Sequence, residues 1–353
     1  MRTNRAFASF IKDLMPSELR SGNHDMPVSV WKELDRIEGQ KEDTVVAIFR
    51  TRGCSWYNYS SCSMCGYFND IDLSITRENL YKQIDHVAQS LNGIKVLKIF
   101  TSGSFLDPME IPIDVREYFM HTIGPKIDTL LVESRTEYIR EDNIQDLGKY
   151  VPAVRIAIGL ESSNDRVITD SINKGSTFAK YKASAMIARK LGYTVRTYLL
   201  FKPPFMTEKA AIDDMIQSIS DIDNFTDDIS VNPMNIQRNT FVEYLWKRHL
   251  YRPPRLWSLA RILLDTRKPG RTVISYPTGG NKERGVHNAK PDRELLDLIV
   301  SSSLSQDFSQ LESYYKSSDL MSYEQEIELE ARLVSDMDIE TLSRRSVGYS
   351  ITI

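Results

Sequence analysis

Short apolar runs alternate with amphipathic segments along the first two thirds of the chain. The runs with the length and β-branched content of buried strands are residues 44–50, 94–101, 128–134, 153–159, 193–201 and 228–234. The segments between them show helical spacing, most clearly at 177–192, where Gly192 ends the pattern. Alternating strands and helices indicate a parallel sheet, and six units are fewer than a closed barrel needs. The pattern therefore predicts an α/β fold with a partial, TIM-like (β/α)6 barrel.

The pattern changes beyond about residue 240. Residues 240–268 have helical character except at Pro253 and Pro254, because proline lacks the amide hydrogen that a helix interior needs. A short strand and a Gly-rich basic loop follow at 271–292, and the acidic segment from Glu324 predicts an amphipathic helix. We therefore expect three parts. These are an N-terminal helical extension (1–43), the barrel (44–240) and a C-terminal α+β extension (241–353).

Composition and charge add two constraints. The 353 residues are 41% hydrophobic and 26% charged, which suits a full-sized core. The sequence shows neither an apolar run long enough to span a membrane nor a signal peptide, so we expect a cytoplasmic protein. Residues 235–290 hold 12 Lys or Arg against 3 Asp or Glu, whereas residues 291–353 hold 5 against 13. This asymmetry indicates a basic face for a polyanion and an acidic tail. The alternative is that two oppositely charged surfaces pack on each other.

All three cysteines lie in one loop after the first predicted strand. Cys54, Cys62 and Cys65 have the spacing C-x7-C-x2-C. In a reducing cytosol such a group indicates metal binding or catalysis rather than a disulfide. Zinc would need a fourth ligand from a distant histidine, and a thioredoxin-like pair would leave one cysteine over. A [4Fe-4S] cluster on three thiolates leaves one iron for S-adenosylmethionine, so the spacing favours the cluster, with zinc and inert thiols as alternatives.

Polar loops follow the predicted strands, and the loops "ESRTEY" and "GLESSND" each contain a glutamate near their start. Glu133 and Glu161 come at the ends of the third and fourth strands. The carboxyl ends of parallel strands meet at one edge of a sheet, so we expect these loops to form one site. The alternative for each glutamate is a surface salt bridge or a helix cap.

These motifs together resemble the radical SAM superfamily, in the branch of Elongator catalytic-subunit-like proteins, and more closely the radical SAM subunits of archaeosine synthases. The resemblance covers residues 44–290. It rests on "GCSWYNYSSCSMCGYFND", "FTSGSFLD", "LVESRTEYI", "IGLESSND", "LLFKPPF", "NPMNIQRNTFVEYLWKRHLYRPPRLWS" and "GGNKERGVHN". The first cysteine interval is longer than the commoner one, and Met64 stands where an aromatic residue often precedes the last cysteine.

The resemblance implies a cluster and a cofactor site. Cys54, Cys62 and Cys65 would ligate a [4Fe-4S] cluster and thereby carry catalysis. The residues implied to contact S-adenosylmethionine are Met64, Ser102, Gly103, Ser104, Glu133, Glu161 and Lys202.

Aromatic and basic side chains interleave in residues 242–257. Cations suit phosphates and flat rings suit unpaired bases, which is what an RNA surface requires. The candidates for contact with tRNA are Trp246, Lys247, Arg248, Arg252 and Arg255. The alternative is a helix with a buried apolar face and solvated charges.

The resemblance also implies a reaction. The substrate would be a tRNA with a lysine adduct of 7-cyano-7-deazaguanine at position 15. A 5′-deoxyadenosyl radical would take hydrogen from the lysine carbon beside the side-chain nitrogen, and cleavage of the C–N bond would leave archaeosine. The implied partners are tRNA, a lysine-transferring archaeosine synthase subunit and an electron donor such as ferredoxin, with residues 241–353 binding tRNA and docking the partner. The alternatives are another radical SAM tRNA-modifying enzyme and a non-catalytic zinc-containing RNA-binding protein.

Overall fold

The computed structural model describes residues 5–16, 22–334 and 338–350. Its strands are β1 (Ser29–Ile37), β2 (Gln40–Ile48), β3 (Val96–Phe100), β4 (Thr129–Ser134), β5 (Ala153–Glu161), β6 (Thr194–Phe201), β7 (Asp228–Pro233) and β8 (Val273–Ile274). Its α-helices are α1 (Arg5–Asp13), α2 (Ser55–Tyr59), α3 (Arg77–Ser90), α4 (Ile113–Ile123), α5 (Glu141–Ile144), α6 (Phe178–Lys190), α7 (Glu208–Ile222), α8 (Phe241–Trp246), α9 (Leu256–Thr266), α10 (Arg293–Ser305), α11 (Ser309–Ser317), α12 (Met321–Val334) and α13 (Ile339–Ser350). Within these ranges, the helices lack the combination of length and apolar character that crossing a membrane requires.

One curled sheet contains all these strands in chain order from β1 to β8. Strands β2 to β8 run parallel, and β1 pairs antiparallel with β2. Strands β1 and β8 are the two edges of the sheet, so the barrel is open between them. The predicted α/β partial barrel is confirmed, and the six predicted strands correspond to β2 to β7.

Strand β1 was not expected, because residues 1–43 were predicted to be a helical extension. The structure has α1 in this segment and then β1, in which exposed, half-buried and charged residues alternate, so the strand shows no apolar run. Ile37 pairs with Gln40, so Glu38 and Gly39 form a two-residue hairpin turn. Both have positive φ (48° and 84°), as a type I′ turn requires. The domain boundaries themselves remain predictions.

The helices cover the outer face of the sheet. Outward-facing residues such as Leu97, Leu130 and Ile156 are fully buried in one apolar cluster with residues of α3, α4, α6, α7, α9 and α10. Burial of each such side chain stabilises the fold by about 1.5–3 kcal/mol. Because side chains alternate along a strand, the intervening residues point into the barrel. Many of these inward-facing residues are charged.

The charged residues form a buried ion network at the amino ends of the strands. Asp35 on β1 accepts hydrogen bonds from Lys98 on β3 at 2.9 Å and from Arg196 on β6 at 2.7 Å. Arg196 also donates to Asp228 at 2.6 Å, and Arg155 pairs with the same carboxylate. Burial opposes the charge of Asp35, but Arg196 and Lys98 outweigh it and hold the pKa of Asp35 well below its usual range. The network joins five strands across the inside of the open barrel.

We expect Asp35→Asn to lower the free energy of unfolding by about 3–5 kcal/mol, because Arg196 and Lys98 then lose their shared buried counter-charge. Glu33→Gln is the matched control. Glu33 lies on the same strand and binds the same Lys98 at 2.6 Å, but 29% of its side chain is exposed. Glu33→Gln should lower the free energy of unfolding by less than about 1 kcal/mol. Urea unfolding at pH 7 measures both, and equal losses would contradict a dominant role for Asp35.

Candidate active site

The cysteine loop follows β2 at the carboxyl end of the sheet. Cys54 directly precedes helix α2, while Cys62 and Cys65 lie between that helix and a short 3-10 turn at Tyr67–Asp70. All three thiols are free and half-buried. Burial raises the pKa of Cys62 to about 12, and the neighbouring Cys54 adds to the effect. The three thiols therefore lie on one loop at the carboxyl end of the sheet, where burial opposes their ionisation.

The segment that follows β5 holds the cysteine loop in place. The amide of Ser63 donates to the Ile172 carbonyl at 2.8 Å, and its hydroxyl donates to the Ser171 carbonyl at 2.8 Å. The Asn173 side chain donates to the Ser61 carbonyl at 2.6 Å, and Trp56 donates to the Asn173 carbonyl at 2.9 Å. The loop position is therefore set by residues more than 100 positions away.

The predicted cofactor loop, residues 102–104, packs against the first cysteine. A Cβ atom on Gly103 would lie 2.6 Å from both Cβ and Sγ of Cys54, so only glycine fits there without displacement. Glu110 fastens the loop, since its carboxylate accepts from the amides of Ser102 at 2.8 Å and Ser104 at 2.7 Å. Burial raises the pKa of Glu110 to about 7. The sequence analysis missed Glu110, because an isolated acid six residues after the loop carries no local signal.

Glu133 and Glu161 lie at the carboxyl ends of β4 and β5 and interact with each other. Burial raises the pKa of Glu133 to about 8, and the charge of Glu161 contributes. Glu161 has a φ of +75° and sits in an irregularity of the strand pairing after Gly159. The Lys174 ammonium donates to Glu161 Oε1 at 2.7 Å and to the Gly159 carbonyl at 2.5 Å. The Glu161 contact is an internal ion pair, with 13% of the Glu161 side chain exposed, rather than a surface bridge.

Three further residues of this site, besides Glu110, were absent from the sequence prediction. Lys174 and Arg135 each lower the pKa of Cys62, in opposition to burial, so both cations lie beside the thiols. The Arg135 guanidinium also lies over the ring of Trp56, 5.4 Å from its centre. Tyr67 has its hydroxyl near Glu133, Cys65 and Glu161, all of which raise its pKa together with burial. Arg135 directly follows β4 and Tyr67 is two residues after Cys65, whereas Lys174 lies 13 residues beyond the end of β5 and carries no local sequence signal.

Two predicted cofactor residues have other neighbours. The Lys202 ammonium binds Glu208 at 3.0 Å and Glu330 at 3.2 Å, and its side chain is 2% exposed. Its backbone is left-handed, with φ +61°, and its carbonyl accepts from the Tyr251 hydroxyl. Met64 packs at the edge of a second apolar cluster, built mainly by α1 and α8. Any contact of the Lys202 turn with the cofactor stays a prediction.

The residues predicted to bind tRNA fall into two groups. Arg252 binds Glu208 at 2.7 Å and Glu330 at 2.9 Å, and Arg255 pairs with Glu326. Glu326 and Glu330 belong to α12, so here the basic stretch and the acidic tail pack on each other, as the alternative interpretation held. Both arginines are therefore ion-paired within the protein, and their contact with RNA stays a prediction.

The tip of α8 carries the exposed group. Lys247 and Arg248 are exposed; Lys247 binds Glu243 at 3.3 Å, and Arg248 lies over the Tyr244 ring, 3.6 Å from its centre. Trp246 is half-buried beneath the Arg284 guanidinium, which lies 4.7 Å from its ring centre. RNA contact at this tip stays a prediction.

Comparisons with known proteins identify the relatives of this chain. The family described as the radical SAM superfamily matches residues 48–216. The chain is similar to archaeosine synthase subunit beta of Methanosarcina acetivorans, with 37% identity over 79% of this chain and 84% of the relative. It is similar to the same subunit of Thermococcus kodakarensis, with 33% identity over 81% and 92%. Among solved structures, it resembles the archaeal Methanocaldococcus infernus Elp3 with 13% identity and a TM-score of 0.49, over 72% of this chain and 61% of that one.

The ion cluster around Glu208 predicts a pH-dependent stability. Burial opposes the charge of Glu208, but Lys202 and Arg252 outweigh it and lower the pKa from 4.5 to about 2. The folded carboxyl therefore binds fewer protons than the unfolded one, and its contribution of about 3 kcal/mol is present above pH 4.5 and lost as the pH falls towards 2. Glu208→Gln should cost about this much at pH 7 and clearly less at pH 3, measured by urea unfolding.

The matched control is Glu328→Gln in the same α7–α12 contact. Glu328 binds Lys209 at 3.1 Å, but the two side chains are 46% and 53% exposed. Glu328→Gln should lower the free energy of unfolding by less than about 1 kcal/mol at both pH values. A Glu208→Gln loss that does not change with pH would contradict the assigned ionisation.

Proposed function

Because the chain belongs to the radical SAM superfamily, in the family of archaeosine synthase beta subunits, we propose that it is a radical SAM lyase that modifies tRNA. The observation that supports this most directly is the packing of Gly103 against Cys54. It sets the loop that would hold a cofactor directly against the thiols that would hold a cluster. Glu133 and Glu161 lie at the same end of the barrel.

The proposed substrate is a tRNA in which a partner subunit has joined lysine to 7-cyano-7-deazaguanine at position 15. A [4Fe-4S] cluster and S-adenosylmethionine, if bound and reduced by a donor such as ferredoxin, would supply the radical chemistry that removes hydrogen from the lysine carbon beside the side-chain nitrogen. Loss of one electron from that carbon to an acceptor such as the oxidised cluster, followed by addition of water, would break the C–N bond. The nitrogen would stay on the base as the formamidine of archaeosine, and the rest of the lysine would leave as an aldehyde. The base must leave the tRNA core, at a cost of a few kcal/mol that protein contacts offset.

The thiols suit the cluster by their number, by their position in one loop and by the cations near them. Three thiolates are the protein ligands that leave one iron open, and Cys54, Cys62 and Cys65 come from one loop. In the described ranges, no three Cys, His, Asp or Glu side chains are placed to hold a single metal ion. Deprotonation of buried thiols costs free energy, which iron–sulfur bonds and the nearby Lys174 and Arg135 charges offset.

The residues beside the thiols suit S-adenosylmethionine. Gly103 exposes backbone where a side chain would block approach, and Glu110 holds that backbone rigid. Burial raises the pKa of Glu133 to about 8, which favours its protonated form, and in that form it can donate to a ribose hydroxyl. An ammonium group at the same place would lower that pKa and be bound by the carboxylate.

The first test is release of 5′-deoxyadenosine by anaerobically reconstituted protein with dithionite and S-adenosylmethionine. The wild type should release it, and Cys65→Ala should be at least about 100-fold slower because the cluster loses a ligand. Gly103→Ala should lower both release and iron content, since the new methyl group overlaps Cys54. Gly93→Ala is the matched control. Gly93 has a φ of +84°, so alanine there costs about 1 kcal/mol of stability through backbone strain, but its Cβ atom would meet no other atom within 4 Å. Release of 5′-deoxyadenosine by the folded Gly93→Ala protein should therefore be unchanged.

Two outcomes would contradict the proposal. Protein that contains zinc, lacks iron and releases no 5′-deoxyadenosine would instead be a zinc-containing RNA-binding protein. Release without formation of archaeosine, measured by nucleoside mass spectrometry after incubation with lysine-adduct tRNA, would indicate a different tRNA modification.

A further inference from the structure

A groove lined mostly by polar and charged residues lies beside the cysteine loop. None of its lining residues was individually predicted above to contact the cofactor or tRNA. It has a volume of about 860 Å³. Two segments form most of its walls, residues 235–239 after β7 and residues 278–284 after β8. Both follow parallel strands, so the groove opens at the carboxyl end of the sheet, the end that carries the cysteines.

The groove is joined directly to the cysteine loop. Gly66 and Asn69 line it, and Gly66 follows Cys65 in the chain. A Cβ atom on Gly66 would lie 2.4 Å from Cβ of Gln237, so the two walls touch. The Asn69 amide donates to the Arg238 carbonyl at 2.9 Å, and the Asn239 amide donates to Asn69 Oδ1 at 2.8 Å. A molecule in the groove therefore reaches the residues next to the last cysteine.

The groove presents two exposed cations. Arg238 and Lys282 are exposed, and neither side chain has an ion-pair partner in the part of the chain that the structure describes. Arg252 and Arg255 differ, because acidic residues of α7 and α12 bind them. Asp70 also lines the groove, so its wall is not uniformly basic. Exposed cations at an open groove suit phosphate groups.

The groove also presents side-chain amides. Asn235, Gln237 and Asn239 line it, and each amide offers both a donor and an acceptor. Amides of this kind recognise the edges of nucleobases. The volume of about 860 Å³ is in the range of sites that enclose a whole small ligand. The lining thus combines groups for a base with groups for its phosphates.

We propose that this groove binds the unpaired nucleotide of the RNA substrate, with Arg238 and Lys282 on the phosphates and Gln237 and Asn239 on the base. The inference rests on the proposed function for the choice of RNA. It places the base next to Cys65, where the reaction would occur. Arg284 links the groove to α8, since it lines the groove and lies over Trp246, so RNA can continue towards Lys247 and Arg248.

The charge part is tested with Arg238→Gln/Lys282→Gln. Affinity for a tRNA transcript is measured by filter binding between 50 and 300 mM salt. Two lost phosphate contacts should weaken binding about tenfold at 100 mM salt and reduce the slope of log K against log salt by about 1.4–1.8. Lys32→Gln/Lys41→Gln is the matched control. Both lysines are exposed and carry no ion pair among the described residues, but they lie on the β1–β2 hairpin. The control should bind like wild type, and an unchanged slope in the groove variant would overturn the proposal.

The base part is tested with Gln237→Ala. This variant should keep the slope of log K against log salt. The ratio of its affinity for lysine-adduct tRNA to its affinity for the unmodified transcript should fall at least about fivefold. An unchanged preference would overturn the assignment of Gln237. Unchanged RNA binding, with loss of co-elution of the lysine-transferring subunit from the charge variant, would assign the groove to a protein partner instead.

Binding is measured on iron-containing and iron-free protein, with urea midpoints confirming that each variant is folded. RNA affinity does not require the cluster, so these results are independent of 5′-deoxyadenosine release. Failure of release with groove-dependent RNA binding would reject the lyase and keep the RNA site. Release of 5′-deoxyadenosine together with RNA binding that does not depend on the groove would keep the lyase and reject the RNA site.

Discussion

The ion pair between Asp35 and Arg196 spans the inside of a barrel whose first and last strands do not pair, and the sheet geometry depends on it. Hydrogen bonds between strands hold β1 to β8 in order but leave the gap between the two edges open. Asp35 on β1 binds Arg196 on β6 at 2.7 Å, and Arg196 also donates to the Arg36 carbonyl at 2.9 Å. Arg36 in turn donates to the Leu304 carbonyl on α10 at 2.9 Å. Charged contacts therefore join β1 to β6 across the interior and to α10, although β1 and β8 do not pair, and the attraction within the network offsets its desolvation cost.

The two ends of the barrel use inward-facing charge differently. At the amino ends, carboxylates and cations neutralise one another in the interior. At the carboxyl ends, Glu133 has a pKa raised to about 8 by burial, and Glu161 is held in a left-handed conformation by neighbouring structure. Such groups cost stability and persist where the surrounding fold holds them rigid, which is typical of a functional site. The ion network at the amino ends supplies that rigidity, because the strands that carry Glu133 and Glu161 also carry or pair with members of the network.

In the C-terminal third of the chain, some basic side chains are ion-paired within the protein and others are not. Arg252 and Arg255 are bound by carboxylates of α12, with 26% and 13% of their side chains exposed, so they stabilise the docking of that helix. Arg238 and Lys282 lack an ion-pair partner among the described residues and stand at a groove that touches the cysteine loop. The local excess of basic residues is real, but only part of it faces solvent. Any electrostatic attraction of RNA then concentrates at the groove and the tip of α8, close to the proposed reaction site.

The amino-acid sequence by itself determined the features that depend on neighbours along the chain. Apolar runs predicted strands β2 to β7. Gly192, whose φ is +79°, marked the end of a helix, and the cysteine spacing favoured an iron–sulfur site. The tertiary structure alone decided which charges meet. Lys174 binds Glu161 across 13 positions, and Arg255 binds Glu326 across 71. Strand β1 belongs to the second class too, since it shows no apolar run and its pairing with β2 defines it. A sequence shows the sign of each charge, whereas the partner of that charge depends on the path of the whole folded chain.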